Sequence, residues 1–181
     1  NDEERAQVLP YCESLKKELE GQTFGGAANI KVQAQIDDRD LRGGEKKWQH
    51  IKRGVPLRIE VGPRDIAANS VFVGRRDQGK PTGYARGKLV AEVGAMLDEM
   101  QQALFDRALS LRKANTHEID SLDDFRTYFT PKNVDKPEIH AGFAMCHWAP
   151  GPEADEILKE LKVTIRCIPQ SGDLSPGKCL F

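Results

Sequence analysis

Apolar residues recur along the chain with two distinct periods, and the changes between them mark out its elements. Val8, Leu15 and Leu19, with Tyr11 and Cys12 between them, form a stripe at helical spacing that stops before Gly21, which predicts an amphipathic first helix. After the Gly25-Gly26 turn, Ile30, Val32, Ala34 and Ile36 alternate with Lys31, Gln33 and Gln35. A period of two predicts a strand. The polar run Asp37-Asp38-Arg39-Asp40 closes it, and Gly43-Gly44 opens a short helix that ends at Gly54, just before Pro56.

Leu57, Ile59 and Val61 alternate with Arg58 and Glu60 to give a second strand, followed by a Gly62-Pro63-Arg64-Asp65 turn and a third short strand, Val71-Phe72-Val73. Alternating helices and strands predict an α/β layer whose sheet is mixed and mostly parallel, flanked by helices. From about residue 87 to residue 113, Leu89, Val90, Val93, Leu97, Met100, Leu104, Ala108 and Leu111 recur mostly at three and four, the mark of one long helix. The pattern resets beyond Thr116. A domain boundary is therefore expected between residues 115 and 116, with a small α/β domain over 116–181. In it, Ser121 reads as the N-cap of a short helix carrying Leu122, Phe125, Tyr128 and Phe129. Residues 139–148 read as extended, 155–161 as helical and 163–168 as a strand stopped by Pro169.

Composition changes this picture little, but charge distribution changes it more. The 181 residues include 27 Lys+Arg and 28 Asp+Glu, a net charge of −1 that excludes a basic or an acidic disordered tail. Residues 42–90, however, hold 12 basic and 4 acidic side chains, between two acidic flanks. That block reads either as an electrostatic footprint for a polyanion or as a solvated surface paired with its flanks. No run approaches the ~20 apolar residues of a membrane span, and the first residues lack a signal-peptide pattern. A cytoplasmic protein with no membrane partner is expected. Cys12, Cys146, Cys167 and Cys179 form no Cys-x-x-Cys pair and are expected to be free thiols.

Catalytic constellations are missing: there is no phosphate-binding loop, no Gly-x-Ser-x-Gly elbow and no His-Glu-x-x-His. Cys146 and His147 are neighbours, yet adjacent residues on a strand face opposite sides, which argues against a nucleophile–base pair. No catalytic residue is assigned.

The stretch Asp37-Asp-Arg-Asp-Leu-Arg-Gly-Gly-Glu-Lys-Lys-Trp48, then Lys52-Arg-Gly-Val-Pro-Leu-Arg-Ile-Glu-Val-Gly-Pro-Arg-Asp65, then Val71-Phe-Val-Gly-Arg-Arg-Asp77 resembles the anticodon-binding domain of prolyl-tRNA synthetases of the archaeal and eukaryotic-like type. Gly-Val-Pro-Leu-Arg recurs in the threonyl, glycyl and histidyl enzymes; the continuation is similar to the prolyl enzyme's appended domain, through Phe125, Gly142-Phe143, Asp155-Glu156 and residues 164–169. The resemblance covers about residues 8–179. It implies a fragment of a larger class II ligase, homodimeric through a catalytic core outside this chain that binds ATP and Mg. Family members typically continue past residues 177–179 to a final tyrosine, whereas this sequence stops at Phe181, so truncation or disorder is expected at that end too.

By resemblance, Arg58, Arg64 and Asp65 fall where the family contacts the two guanines of the proline anticodon. The chemistry suits guanine: a carboxylate accepts from its N1–H and N2–H₂, and an arginine fork donates to O6 and N7. Alternatively, Arg58 pairs with Glu60 or Asp38, and Asp65 only caps the segment after it. Lys46, Lys47, Lys52, Arg53, Arg75 and Arg76 read as phosphate contacts or plain surface. Trp48 is either a stacking platform or, as its spacing from Ile51 favours, part of the core. Some members carry a guanine-reading glutamate where this chain has Ile51, so that reading is either absent or taken over by His50 or Gln49.

Many members also bind a structural zinc through two cysteine pairs. Ala149 and Ala154 occupy the first pair's positions, and of the second pair only Cys179 is present. Structural zinc needs four ligands, so its loss is expected; a site using Cys146, His147 and Cys167 is the alternative. The function expected is recognition of proline tRNA. Alternatives are a stand-alone tRNA-binding or regulatory module, and a small thiol enzyme.

Overall fold

The computed structural model describes residues 2–133, 135–137, 142–170 and 175–181. It divides into two compact units, Asn1–Phe105 and Asp106–Phe181. The first contains helix α1 (Asp2–Glu20), the strand pair β1 (Thr23–Phe24) and β2 (Ile30–Lys31), helix α2 (Gly43–Arg53), strand β3 (Leu57–Glu60), the short helix α3 (Pro63–Ala67), and strands β4 (Ser70–Arg75) and β5 (Thr82–Ala85). Helix α4 (Arg86–Ala114) begins in this unit and ends in the second.

Strand order is β3-β4-β5, and both pairings are antiparallel, as is β1–β2. The α/β class holds, but the mostly parallel sheet does not. The reason lies in the connections. A parallel crossover takes a dozen or more residues, whereas β3 reaches β4 through little more than the five-residue α3, and β4 turns into β5 directly. β5 escaped the sequence reading because Thr82-Gly83-Tyr84-Ala85 has no clear apolar alternation. The strand expected over 30–36 shrinks to Ile30–Lys31, although Val32 is buried and Ala34 packs on the core, so the alternation survives without a ladder.

Alternation in β4 sends Val71 and Val73 inward and Phe72 outward. The inward pair meets Leu89, Val93 and Met96 of α4 and Leu15 and Leu19 of α1, with Leu57, Ile59 and Val61 at the edge. Each fully buried Val or Leu contributes about 1.5–3 kcal/mol. Polar contacts bind α1 to this core: Tyr11 Oη donates to the Ser70 carbonyl at 3.3 Å, and Arg86 pairs with Glu18 at 2.6 Å while stacking on the Tyr11 ring.

The second unit contains β6 (Thr116–Glu118) and β7 (Phe143–Met145), paired in parallel, with α5 (Leu122–Phe129) in the crossover and α6 (Pro152–Glu160) after it. The Ser121 hydroxyl accepts from Asp124 N at 3.3 Å, as its N-cap reading requires. Ile119, Phe125 and Leu158 form the core. Of the extended segment expected over 139–148, residues 139–141 lie outside the described residues, and Phe143–Met145 is strand. The strand expected over 163–168 is irregular, with Ile165 and Ile168 exposed: its alternation has no partner ladder among the described residues.

One close approach sets the α4 packing. Gly94 is buried against the Thr23 backbone, and a Cβ there would collide with the Thr23 carbonyl oxygen. Asp98, one turn on, accepts from Gly25 N at 2.7 Å. On an open helix, Gly→Ala stabilises by up to about 1 kcal/mol. Here the steric term wins, and Gly94→Ala should destabilise by about 1–3 kcal/mol. Denaturant unfolding checks the sign: increased stability would contradict this packing.

Candidate nucleic-acid interface

Arg58 and Gly74 face each other across β3 and β4. Both lie on the sheet face opposite Val71 and Val73, the face that also carries Glu60 and Phe72. The Arg58 guanidinium lies across Gly74, where a Cβ would sit 2.7 Å from one of its terminal nitrogens. Arg58 Nε is buried and finds no partner among the described residues. No ion pair joins Arg58 to a described residue, which leaves the expected alternatives Glu60 and Asp38 unused; Asp38 pairs with Arg5 at 3.1 Å.

Around this guanidinium runs an open cleft of about 360 Å³, lined by Lys47 and Ile51 of α2, Val55, Gly74, Arg75, Arg76 and the Gln78–Pro81 turn. Its size falls at the small end of ligand sites, about 300–1,000 Å³, with apolar Ile51 and Val55 beneath a cationic rim. Gly54 ends α2 in the left-handed region, φ 74°, and the Arg76 guanidinium packs at 3.4 Å from where its Cβ would be. A larger residue at 54 would strain the turn and crowd Arg76.

The remaining site residues fall in three places. Arg64 and Asp65 sit on α3, at the far end of β3, and line no part of the cleft. Arg64 is exposed; Asp65 Oδ2 accepts from Gly62 N at 2.8 Å, so this carboxylate does cap its own helix. Arg75 is held by a fork to Asp77, at 2.9 and 3.0 Å, and by Glu99 at 3.0 Å. Asp77, foremost, and Glu99 hold its guanidinium charged, and the guanidinium in turn pulls the Asp77 carboxyl below the usual range. On α2, Lys47 and Lys52 are exposed, Lys46 donates to the Asp37 carbonyl at 3.1 Å, and Arg53 faces a second cavity.

That cavity, about 270 Å³, surrounds a network the sequence reading missed. The Asp37 carboxylate accepts a fork from Arg39 at 2.8 and 2.7 Å and lies 2.7 Å from His50 Nε2. Arg39 also donates to Gln49 Oε1 at 2.9 Å. His50 and Gln49 thus serve this network and do not line the Ile51 cleft. The Asp37-x-Arg39 spacing is a weak signal, since the same pair fits any polar loop. Trp48 is corrected outright: it is 60% exposed, because spacing from Ile51 points inward only if that face of α2 is buried, and α2 buries no residue.

In the second unit the zinc ligand set does not fit. Ala149 N donates to Cys179 Sγ at 3.4 Å, Cys167 is exposed, and no group of three or more His, Cys, Asp or Glu among the described residues is placed to hold a metal. Burial pushes the Cys146 thiol up, the reverse of what a nucleophile needs. No helix among the described residues is long and apolar enough to cross a membrane.

A three-stranded antiparallel sheet carries on its open face an arginine that pairs with no described residue, beside a helix rich in lysine and arginine, and the comparisons with known proteins give this arrangement a class. Residues 1–96 match the family described as "Anticodon binding domain", and the chain belongs to that family. Among curated relatives, the proline–tRNA ligase of Rhodopirellula baltica is 51% identical over 180 residues, covering 99% of this chain and 35% of the relative. Proline–tRNA ligase 2 of Anaeromyxobacter dehalogenans is 48% identical over 99% of the chain, and the proline–tRNA ligase of Bdellovibrio bacteriovorus is 46% identical over all of it. The chain spans about 35% of the length of these relatives.

The Asp37 network carries a pH signature. Arg39, foremost, and His50 hold its carboxyl well below the usual carboxylate range. A depressed folded value means the contribution is complete above the unfolded value of about 4 and is lost only as pH falls through the lower folded one. Carboxyl ¹³C titration should find Asp37 ionised when the exposed carboxylates have already protonated; an ordinary midpoint would remove the network.

Proposed function

We propose that the chain binds the anticodon stem-loop of proline tRNA as the C-terminal part of a cytoplasmic proline–tRNA ligase, the enzyme that joins proline to tRNA using ATP. The observation that carries this reading is the 46–51% identity to proline–tRNA ligases along essentially the whole chain. In it, residues 1–115 form the anticodon-binding domain with its long final helix, and 116–181 form an appended domain from which structural zinc has been lost. ATP and Mg belong to a catalytic core outside this sequence, and the homodimer forms through that core.

Arg64 and Asp65 read anticodon guanines, Asp65 through the carboxylate oxygen that does not cap Gly62. Arg58 supplies a third contact from the floor of its cleft. A desolvated guanidinium with an open hydrogen-bond position gains more from an acceptor than an exposed one does. Lys46, Lys47, Lys52, Arg53 and Arg76 hold phosphates, and Arg75, fixed by Asp77 and Glu99, adds to the local field. With about four phosphates neutralised, affinity should fall with a log–log salt slope near −3.

The deciding measurement titrates proline tRNA against variants in which either anticodon guanine is replaced. Unsubstituted chain should discriminate, and Asp65→Ala should lose about 1–3 kcal/mol of that discrimination. Equal affinity for all RNAs would contradict base reading. Gly74→Ala tests Arg58 separately. The added methyl meets only the end of a flexible side chain, so the fold should persist while the guanidinium shifts. Weaker RNA binding with an unchanged unfolding midpoint is expected, and unchanged binding would take Arg58 out of the interface.

A further inference from the structure

Trp48 is the more exposed of the two tryptophans, at 60% against 36% for Trp148, and it belongs to neither hydrophobic core. On α2 its neighbours are Gly44 at i−4, Lys52 at i+4, Ile51 and Glu45 at i±3. His50 lies about 200° away around the helix, on the side that the Asp37 network fastens to the preceding loop. Trp48 thus points outward on a helix held from behind.

Two further features make the ring accessible. Helical side chains lean towards the N-terminus, which carries the indole over the first turn. There the chain places Gly43 and Gly44, and a Cβ at either position would meet nothing within 4 Å. Glycine costs a helix about 1 kcal/mol relative to alanine, and these two bury nothing to offset it. What they leave is a clear indole face. The cations next to it on α2, Lys47 and Lys52, pair with no described residue, whereas the one acid of that stretch, Glu45, accepts from Gln49 at 3.3 Å.

We infer that Trp48 is a stacking platform for an unpaired base of the RNA loop, one held by its π-face and not read by its edge. Cations beside an open aromatic ring are the combination with which proteins hold single-stranded nucleic acid. The Ile51–Arg58 cleft begins one turn along the same helix. Indole stacking tolerates any base, unlike the contacts of Arg64 and Asp65. The inference rests on the proposed recognition of tRNA but is separable from it.

The test uses intrinsic fluorescence in a Trp148→Phe background, where Trp48 is the sole tryptophan emitter. Adding the proline anticodon stem-loop should quench it, and a loop with a replaced anticodon guanine should quench it equally at saturation. Trp48→Ala should weaken stem-loop binding about 5- to 150-fold, with Trp48→Phe recovering part of the loss and circular dichroism unchanged in both. Stem-loop binding without quenching, at an affinity Trp48→Ala leaves unaltered, overturns the platform but not tRNA recognition. A Trp48-dependent dimer in light scattering, with RNA affinity untouched, overturns it in favour of a second copy of the chain. No binding of proline tRNA by the unsubstituted chain overturns both readings.

Discussion

The register of β3 on β4 is the constraint on which the first unit depends. It sets Ile59 opposite Val73 on the core side and Arg58 opposite Gly74 on the open side. Because strand side chains alternate, a slip of β3 by one residue would turn Arg58 inward and Leu57 and Ile59 outward. Burial of Val71 and Val73 against α4 therefore fixes the position of a guanidinium that makes no core contact itself. Gly74 completes the arrangement: any side chain there would occupy the surface on which the guanidinium rests. If Arg58 contacts RNA as proposed, stability and recognition are coupled through one strand pairing, each using its own face.

How much of this was legible in the sequence depended on whether local pattern decided the outcome. Helices α1, α2 and α4 follow from apolar spacing and from Gly21 and Gly54, and the inward pattern of β3 and β4 follows from their alternation. Strand direction did not, since alternation is identical in parallel and antiparallel ladders; only the shortness of the α3 connection separates them. Residues 163–168 show the same limit, with alternation present and a ladder absent. Trp48 failed for a related reason, because spacing identifies a helix face without saying which face the fold covers. Of the candidate site, Arg58, Arg64 and Asp65 were assigned by the resemblance alone, whereas the Gly74 rest for Arg58 and the Asp37–His50 pairing join residues too distant in sequence for any spacing rule.

The basic block acquires a different meaning once its partners are known. Arg75 and Arg86, and Arg39 just before the block, are spent on carboxylates; Lys46 is spent on a carbonyl. These hold the scaffold. Arg58, Arg64, Arg76, Lys47 and Lys52 form no ion pair with a described residue, and they lie on α2 and around the two ends of β3 and β4. Exposed pairs contribute little to stability, so leaving these cations unpaired costs the fold little and keeps their field available to an anion. In the proposed function it is these unpaired cations, and not the paired ones, that supply the field an anion meets.

The second unit closes around a cluster of packed aromatic rings. Phe125 is buried beneath Phe129 and Phe181, with ring centroids at 4.8 and 5.3 Å, and Leu180 N donates to the His147 carbonyl at 2.9 Å. The Leu180 bond and the Ala149–Cys179 hydrogen bond tie the segment after β7 to residues 179–180, while the Phe181 ring ties the same stretch to Phe125 of α5. Aromatic pairs add about 0.5–1.5 kcal/mol each beyond their buried area, less than zinc supplies. The ring cluster therefore has to act with the core of Ile119 and Leu158 and with the Arg126–Glu160 fork at 2.9 Å to hold α5 and α6 together.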